Sequence, residues 1–599
     1  MTNSTVLHSD TILSYNGISA PTKHPHDEQI IHDSDNEKSS DYKEDSIKNI
    51  DVDQHQLQPT STDFATLRKV SDNVPVLTCV LIVLVEAAER FAYYGAKAPI
   101  HNYIQQPMPT DSVTGSTVHP GETAGALGLG QQAATGLGDF YTFWCYFTPL
   151  IGAIFGDTYG RYRTVWVSTG LYITGLIILT LTSIPPSLAT GKAGPLAGLI
   201  VFQIISGLGT GGIKSQISVI LAEQTNSSAA YVRTESTGER VIVDPNVTVQ
   251  RLMNWFYWSI NVGSLAFVVT PNVEKYHSFW LSYLVPTIVF LFIPVVLLIL
   301  RHRLKRLPPR SSVILEAFRV MRLASFTGWR KGSSDASKWD VAKPTYYEQR
   351  QIAKPKAITW DDTFVYEVRR ALKACTVFLG FIPFYIAGNQ KDNSSSLSAT
   401  MRQDGTPNDL LTVINPIFIL AFIPFLDLVL YPFLRSRGIK FGPIARMTTG
   451  FFTSVLGLAY LACIQWYVYK ISPCGHFATE CTKADEKADL SLWVLAPVYA
   501  LSAMGESFAA ITAYEYTLTK APVKMKSFIT AIFLLQNAFG SAISIAFLPV
   551  SKDPYMIWLY GGTAIGYFVV VVVFYLAFRK LDKDNDVDNA VGKEDKRVN

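Results

Sequence analysis

About twelve apolar runs, each some 20 residues or longer, set the limits on what this 599-residue chain can become. They fall at residues 74–104, 124–156, 161–184, 194–222, 250–273 and 278–301, and again at 368–391, 409–434, 440–470, 491–519, 524–549 and 553–579. Crossing about 30 Å of hydrocarbon takes roughly 20 helical residues, and lipid offers no partner to an unpaired backbone group. Runs of this length therefore predict helices rather than open sheets. With 48% hydrophobic and only 17% charged residues, the chain is too apolar for an ordinary soluble protein. The expected fold is an all-α membrane protein with about 12 transmembrane helices in two six-helix bundles.

The same spacing divides the chain into a polar tail (1–72), a first bundle (73–302), a linker (303–367), a second bundle (368–580) and a short tail (581–599). The first tail has too few clustered apolar residues for a core and is expected to be a disordered cytosolic segment. Arg161, Arg163, Arg435, Arg437, Lys440, Lys520, Lys524, Lys526, Arg579 and Lys580 lie in loops on one side, whereas 105–123 contains no Lys or Arg. The positive-inside rule puts both termini and the linker in the cytosol. No secretory signal precedes the first run, so that helix is expected to act as its own insertion signal.

A net charge of +4, spread by loop, gives no basic patch for nucleic acid. Of six cysteines, Cys79, Cys145, Cys375 and Cys463 fall in apolar runs and read as small hydrophobes. Cys474 and Cys481 share a polar loop on the outer side, where an oxidising compartment allows a disulfide. No spacing fits a metal site. The linker's periodic apolar patch near Val313–Phe326 reads as an amphipathic helix on the membrane surface or as part of a solvated connector.

Ionisable residues inside apolar runs are costly, at least about 2.5–3.5 kcal/mol each, and usually face a bundle interior or a watery cavity. The first run contains Glu86-Ala-Ala-Glu89-Arg90-Phe91-Ala-Tyr93-Tyr94-Gly95. Glu86, Glu89 and Arg90 stand at i, i+3 and i+4 and share one helical face, which Tyr93 and Tyr94 extend. A structural salt bridge needs two charges. This cluster has three beside two phenols, which points to a substrate or proton site. The fourth run carries Lys214 within Gly209-Thr-Gly211-Gly212-Ile-Lys214, and the fifth carries Asn261. Asn415 interrupts the eighth before Pro416, and Glu506 lies deep in the tenth. Two cations, three carboxyls and neutral amides match a zwitterion such as a peptide. A carboxyl whose partner changes with conformation also suits proton coupling, because burial favours its neutral form and a paired arginine its charged form.

Two six-helix halves joined by a linker describe the major facilitator architecture, with its site near the midplane. Its loop signature appears as Gly152-x-x-x-Gly156-Asp157-x-x-Gly160-Arg161-Tyr162-Arg163, in which Asp157 and Arg161 are expected to latch the cytoplasmic faces of the halves. The Glu-x-x-Glu-Arg-Phe-x-Tyr-Tyr-Gly, Gly-Thr-Gly-Gly-Ile-Lys and Phe256-Tyr257-x-x-Ile260-Asn261-x-Gly263-Ser264 stretches resemble those of proton-coupled oligopeptide transporters. The segment Gly238-Glu-Arg-Val-Ile-Val-Asp-Pro245 resembles the fungal di- and tripeptide branch. The tenth run and its loop, from Gly505-Glu506 to Ser527, resemble that family too.

The resemblance implies a proton-coupled symporter that imports di- and tripeptides across the plasma membrane by alternating access, as a monomer, with protons as coupling ion and no cofactor. It implies that Glu86, Glu89, Arg90 and Lys214 serve proton coupling, and that Arg90 and Lys214 hold the peptide carboxylate. Glu506 would receive the amino group. Tyr93, Tyr94 and Tyr146 would line the cavity, and Asn261, Gln390 and Asn415 would contact the peptide backbone. Two departures stand out. The family often pairs an acid on helix 7 with the basic residue after Tyr-Tyr-Gly, but Ala387-Gly388-Asn389-Gln390 offers none to Lys97. Ser215 replaces a common proline, which is expected to straighten helix 4. The competing readings are a peptide-binding nutrient sensor and a symporter of another small anion. An enzyme is disfavoured, since no His-Glu-x-x-His, nucleophile elbow or P-loop occurs.

Overall fold

A computed structural model describes residues 59–590, except 61–62, 64–65, 227–228, 236–237, 307, 309–311, 331–334, 352–354, 356–357, 440, 481–486 and 521–524. The first half contains α1 (Val76–Gln105), α2 (Gln131–Tyr159), α3 (Arg161–Thr182), α4 (Ala193–Ala222), α5 (Pro245–Gly263), α6 (Ala266–Tyr276) and α7 (Phe279–Leu300). The linker contributes α8 (Val313–Arg330). Then come α9 (Asp362–Cys375), α10 (Phe381–Asp392), α11 (Ile414–Phe425), α12 (Pro443–Ile471), α13 (Ala496–Lys520), α14 (Lys526–Ala546) and α15 (Met556–Ala590). Among the described residues, ten spans are long and apolar enough to cross a membrane. The charged helices α1 and α2, 30 and 29 residues long, complete the twelve.

Each half has its own hydrophobic core. One runs from Cys79 to Leu300 and the other from Ile314 to Phe574. Large apolar side chains such as Phe292, Ile565 and Val573 point outward at 60% exposure or more, as a lipid-facing surface requires. In the first half α4 packs closely on α2 and α3 because a Cβ on Gly211 would collide with Thr148 and one on Gly212 with Ser168. Helix α4 continues unbroken through Ser215. The fifth crossing breaks between α5 and α6, where Ser264 Oγ donates to Asn261 O at 2.6 Å. Asn415 and Pro416 do not interrupt the eighth crossing. They stand in the first turn of α11, where proline lacks only an N–H that would be unpaired anyway.

Two polar regions differ from the sequence reading. The end of the first tail is ordered: Lys69–Val70 (β1) pairs in parallel with Arg240–Val243 (β3), which pairs antiparallel with Tyr231–Thr234 (β2). Val241, Ile242 and Val243 of β3 are fully buried, and polar ties add to them, with Lys69 3.2 Å from Asp244 and Asp72 N donating to Thr248 Oγ1 at 2.8 Å. Residues 1–58 lie outside the described residues. Helix α8 also turns its apolar face to protein. Ile314, Ala317, Val320 and Ala324, at helical spacing, are at most 4% exposed. The first three belong to the core of the second half.

The polar ties between the halves gather at one end, where α1 finishes and α6 meets α7. Lys97 Nζ stands 2.9 Å from Asp392, His101 and Gln105 both reach Ser396 at 2.6 Å, and Thr135 donates to Asn393 at 3.0 Å. This end, opposite the linker, is closed.

Candidate functional site

The charged stretch of α1 folds as its spacing predicts. Arg90 Nε lies 3.2 Å from Glu86 Oε1, its guanidinium forms an ion pair with Glu89, and the three side chains are at most 4% exposed. Thr210 of α4 donates to the second oxygen of Glu89. Gly263 of α5 makes this burial achievable, because a Cβ there would strike Arg90 and the α1 backbone. Glu86 Oε2 is buried without a hydrogen-bond partner. Lys214 lies within electrostatic reach of Glu86, Glu89 and Arg90 without forming an ion pair with the cluster. Among the described residues no carboxylate comes within 4.0 Å of it, and its Nζ lies 3.4 Å from the centre of the Tyr146 ring.

The second half presents Glu506 on α13. Its Oε1 accepts from Asn415 Nδ2 at 3.0 Å and lies 3.8 Å from Lys391 Nζ, and its side chain is 35% exposed. Close packing of α13 on α12 at Gly505, where a Cβ would meet Ser454, fixes this position. Tyr94 and Tyr146 are within electrostatic reach of both Arg90 and Glu506, so the two charge centres share one interior.

The other predicted contacts divide. Gln390 is fully buried and accepts from Asn393 at 3.1 Å, leaving its Nε2 without a partner. Asn261 donates to its own helix at Tyr257 O, 2.8 Å away. Tyr93 packs inside the first half, stacked on Tyr141 at 5.7 Å. Asp157 lies 3.5 Å from Arg161, which also pairs with Glu223 at the end of α4. That triad ties α2, α3 and α4 within one half and does not bridge the halves. Cys474 is disulfide-bonded, whereas Cys481 lies outside the described residues.

Residues 162–565 match the sequence model PTR2, described as the POT family. The chain belongs to the POT family. It is 38% identical over 571 residues to "Peptide transporter PTR_C" of Candidozyma auris, covering 94% of this chain and 95% of that one. Identity to "Peptide transporter PTR2" of Saccharomyces cerevisiae is 36% over 540 residues, covering 90% and 84%. Its fold resembles the "auto inhibited POT family peptide transporter", with a TM-score of 0.63 at 20% identity over 87% of this chain and 98% of that one.

Within this POT-family fold, one departure read from the sequence is corrected. Helix 7 does carry an acid for Lys97: Asp392, the last residue of α10, two positions beyond Gln390. The apolar run of the sequence ends at 391, which leaves Asp392 looking like a loop residue. Also missed were Asp139 of α2, 6% exposed with Oδ2 unpartnered, and Lys391. Tyr257, Tyr385 and Tyr514 lie in the electrostatic neighbourhood of Glu506 or of Arg90. Tyr514 could have been found, since it stands eight residues from Glu506, about two helical turns along one face.

Proposed function

We propose that this chain is a proton-coupled symporter that imports di- and tripeptides by alternating access. The carrying observation is the opposition of two charge centres across the halves: Arg90 with Glu86 and Glu89 on one side, part-exposed Glu506 on the other. A zwitterionic peptide can offer its ammonium to Glu506 and its carboxylate to Lys214 and Arg90. Arg90 is released for that role when Glu86 or Glu89 takes a proton, because protonation removes the charge that holds the guanidinium. Proton and peptide thereby compete for, and cooperate through, the same arginine.

In this reading the closed end faces outward and the linker and both termini face the cytosol of a multi-pass plasma-membrane protein. The charge asymmetry of the loops and the names of the relatives, peptide transporters, support it. Protons are the coupling ion, no cofactor is needed, and the lipid-embedded monomer is the working unit.

The test is uptake of labelled dialanine into proteoliposomes with and without an inward proton gradient. Gradient-driven accumulation that collapses with a protonophore is the expected result. Binding without accumulation would instead identify a sensor, and no binding would leave a carrier of another anion.

A further inference from the structure

Outside the central cluster, a second pair of carboxyls is buried between the halves. Glu274 of α6 and Asp409 of the turn before α11 are each 1% exposed. They come from opposite halves and are joined by two asparagines. Asn102 Nδ2 donates to Glu274 Oε1 at 2.7 Å and to Asn408 Oδ1 at 2.9 Å. Asn408 Nδ2 donates back to Asn102 Oδ1 at 2.9 Å, and it lies 3.2 Å from Ser395 O and 3.3 Å from Asp409 Oδ1. The amide hydrogens are thus spent, and Glu274 Oε2 and Asp409 Oδ2 are buried with no hydrogen-bond partner.

Lys275 is within electrostatic reach of Glu274 but does not pair with it. Among the described residues neither carboxylate has an ion-pair partner within 4.0 Å. Lys275, next in sequence to Glu274, turns its Nζ to Gln403 Oε1 at 3.1 Å and Thr406 O at 2.9 Å. Lys487 donates to Thr123 at 2.8 Å. From α1, His101 is bonded to Ser396, and Tyr103 accepts from Ser183. Tyr283 of α7 is near both carboxyls, yet its hydroxyl is buried and unpartnered. Tyr499 of α13 is bonded to Ser394, Ser395 is a near neighbour of Asp409, and Asp392 belongs to Lys97.

We propose that Glu274 and Asp409 form a proton-binding site, separate from the central cluster, that is filled while this end of the molecule is closed. Two neighbouring carboxylates sealed from water with no ion-pair partner among the described residues cannot both keep their charge, and one added proton turns an unpartnered acceptor into a donor. Opening this end parts Asn102 from Asn408, admits water and releases the proton as H⁺. Closure is therefore favoured at low pH and loses that support as pH rises. On the alternating-access reading on which this rests, the proton enters and leaves on the same side. It biases closure without being transported.

The experiment uses the full chain in lipid nanodiscs. Infrared difference spectra between acid and alkaline pH are compared for wild type, Glu274→Gln and Asp409→Asn, reading the protonated-carboxyl stretch. In parallel, the distance between labels at Val118 and Lys552, both exposed, is followed against pH. At least one single variant should lose a carboxyl band. The double variant should stay closed at alkaline pH, its closed-to-open ratio at least about tenfold above wild type and its pH slope reduced. Unchanged bands in both single variants, or an unchanged pH profile in a folded double variant, would overturn the site. So would closure driven by sodium at fixed pH, which would make it a metal-cation site. The bands need no substrate, so a chain that failed to move dialanine would defeat the transport reading and leave this result standing.

Discussion

Arg90 lies between two carboxylates of its own helix with all three side chains at most 4% exposed, whereas Glu506 is 35% exposed and held by one amide, the Ser502 hydroxyl at 3.5 Å and a distant ammonium. Removing one member of a buried ion cluster strands a charge, at a cost of about 3–5 kcal/mol. A part-exposed pair is worth only about 0–1 kcal/mol. The second half can therefore accept a peptide ammonium with little rearrangement. The first half cannot offer Arg90 to a carboxylate until a proton has neutralised one of its partners. On the proposed mechanism, this contrast suits the buried centre to coupling and the open one to capture of the peptide ammonium.

The largest expected effect tests the buried centre. Arg90→Lys keeps the charge but loses the planar fork that serves both carboxylates. Uptake should fall at least about 100-fold, equivalent to some 2.7 kcal/mol, with surface expression retained. Wild-type uptake in this variant would break the comparison, since a point charge would then suffice. Next comes Lys214, which rests on the Tyr146 ring and, among the described residues, forms no ion pair. Its loss should cost little stability, since a cation–π contact gives about 0.5–2 kcal/mol. In Lys214→Ala, counterflow of labelled peptide should persist while proton-driven accumulation drops about tenfold or more. Accumulation at the wild-type level would remove Lys214 from coupling.

A smaller and more selective effect is expected at the open centre. Hydrogen bonds to charged groups contribute about 1.5–3 kcal/mol, so Glu506→Gln should weaken binding of peptides with free amino termini about tenfold or more. N-blocked peptides should lose much less. Competition binding with matched pairs measures the difference, and an equal loss for both would make Glu506 structural.

The sequence revealed what lies within one helix. Glu86, Glu89 and Arg90 were legible because an i, i+3, i+4 spacing puts them on one face whatever the fold around them. Lys214, Asn415 and Glu506 were legible as polar groups deep in apolar runs. What escaped was set by the meeting of helix ends. Asp392 finds Lys97 across 295 positions, and Glu274 and Asp409, at the margins of their runs, look like loop residues until the halves close over them. Helix α8 shows the same effect: its apolar face was legible, but that it would bury against protein rather than lipid depended on the second half.

The smallest effect concerns the tie between the halves. Lys97 and Asp392 are 24% and 40% exposed at 2.9 Å, so their coupling should be near about 0.5–1 kcal/mol. It is measured with Lys97→Met, Asp392→Asn and the double variant, reading the closed fraction at fixed pH. A coupling in that range would place Lys97–Asp392 as one modest tie among several. A coupling near zero would move the holding of this end to the buried asparagine bridge between Asn102 and Asn408, whose groups have no water to fall back on. A coupling several times larger would mean that one exposed pair governs closure, and the division between a closed, costly centre and an open, inexpensive one would not extend to the gate.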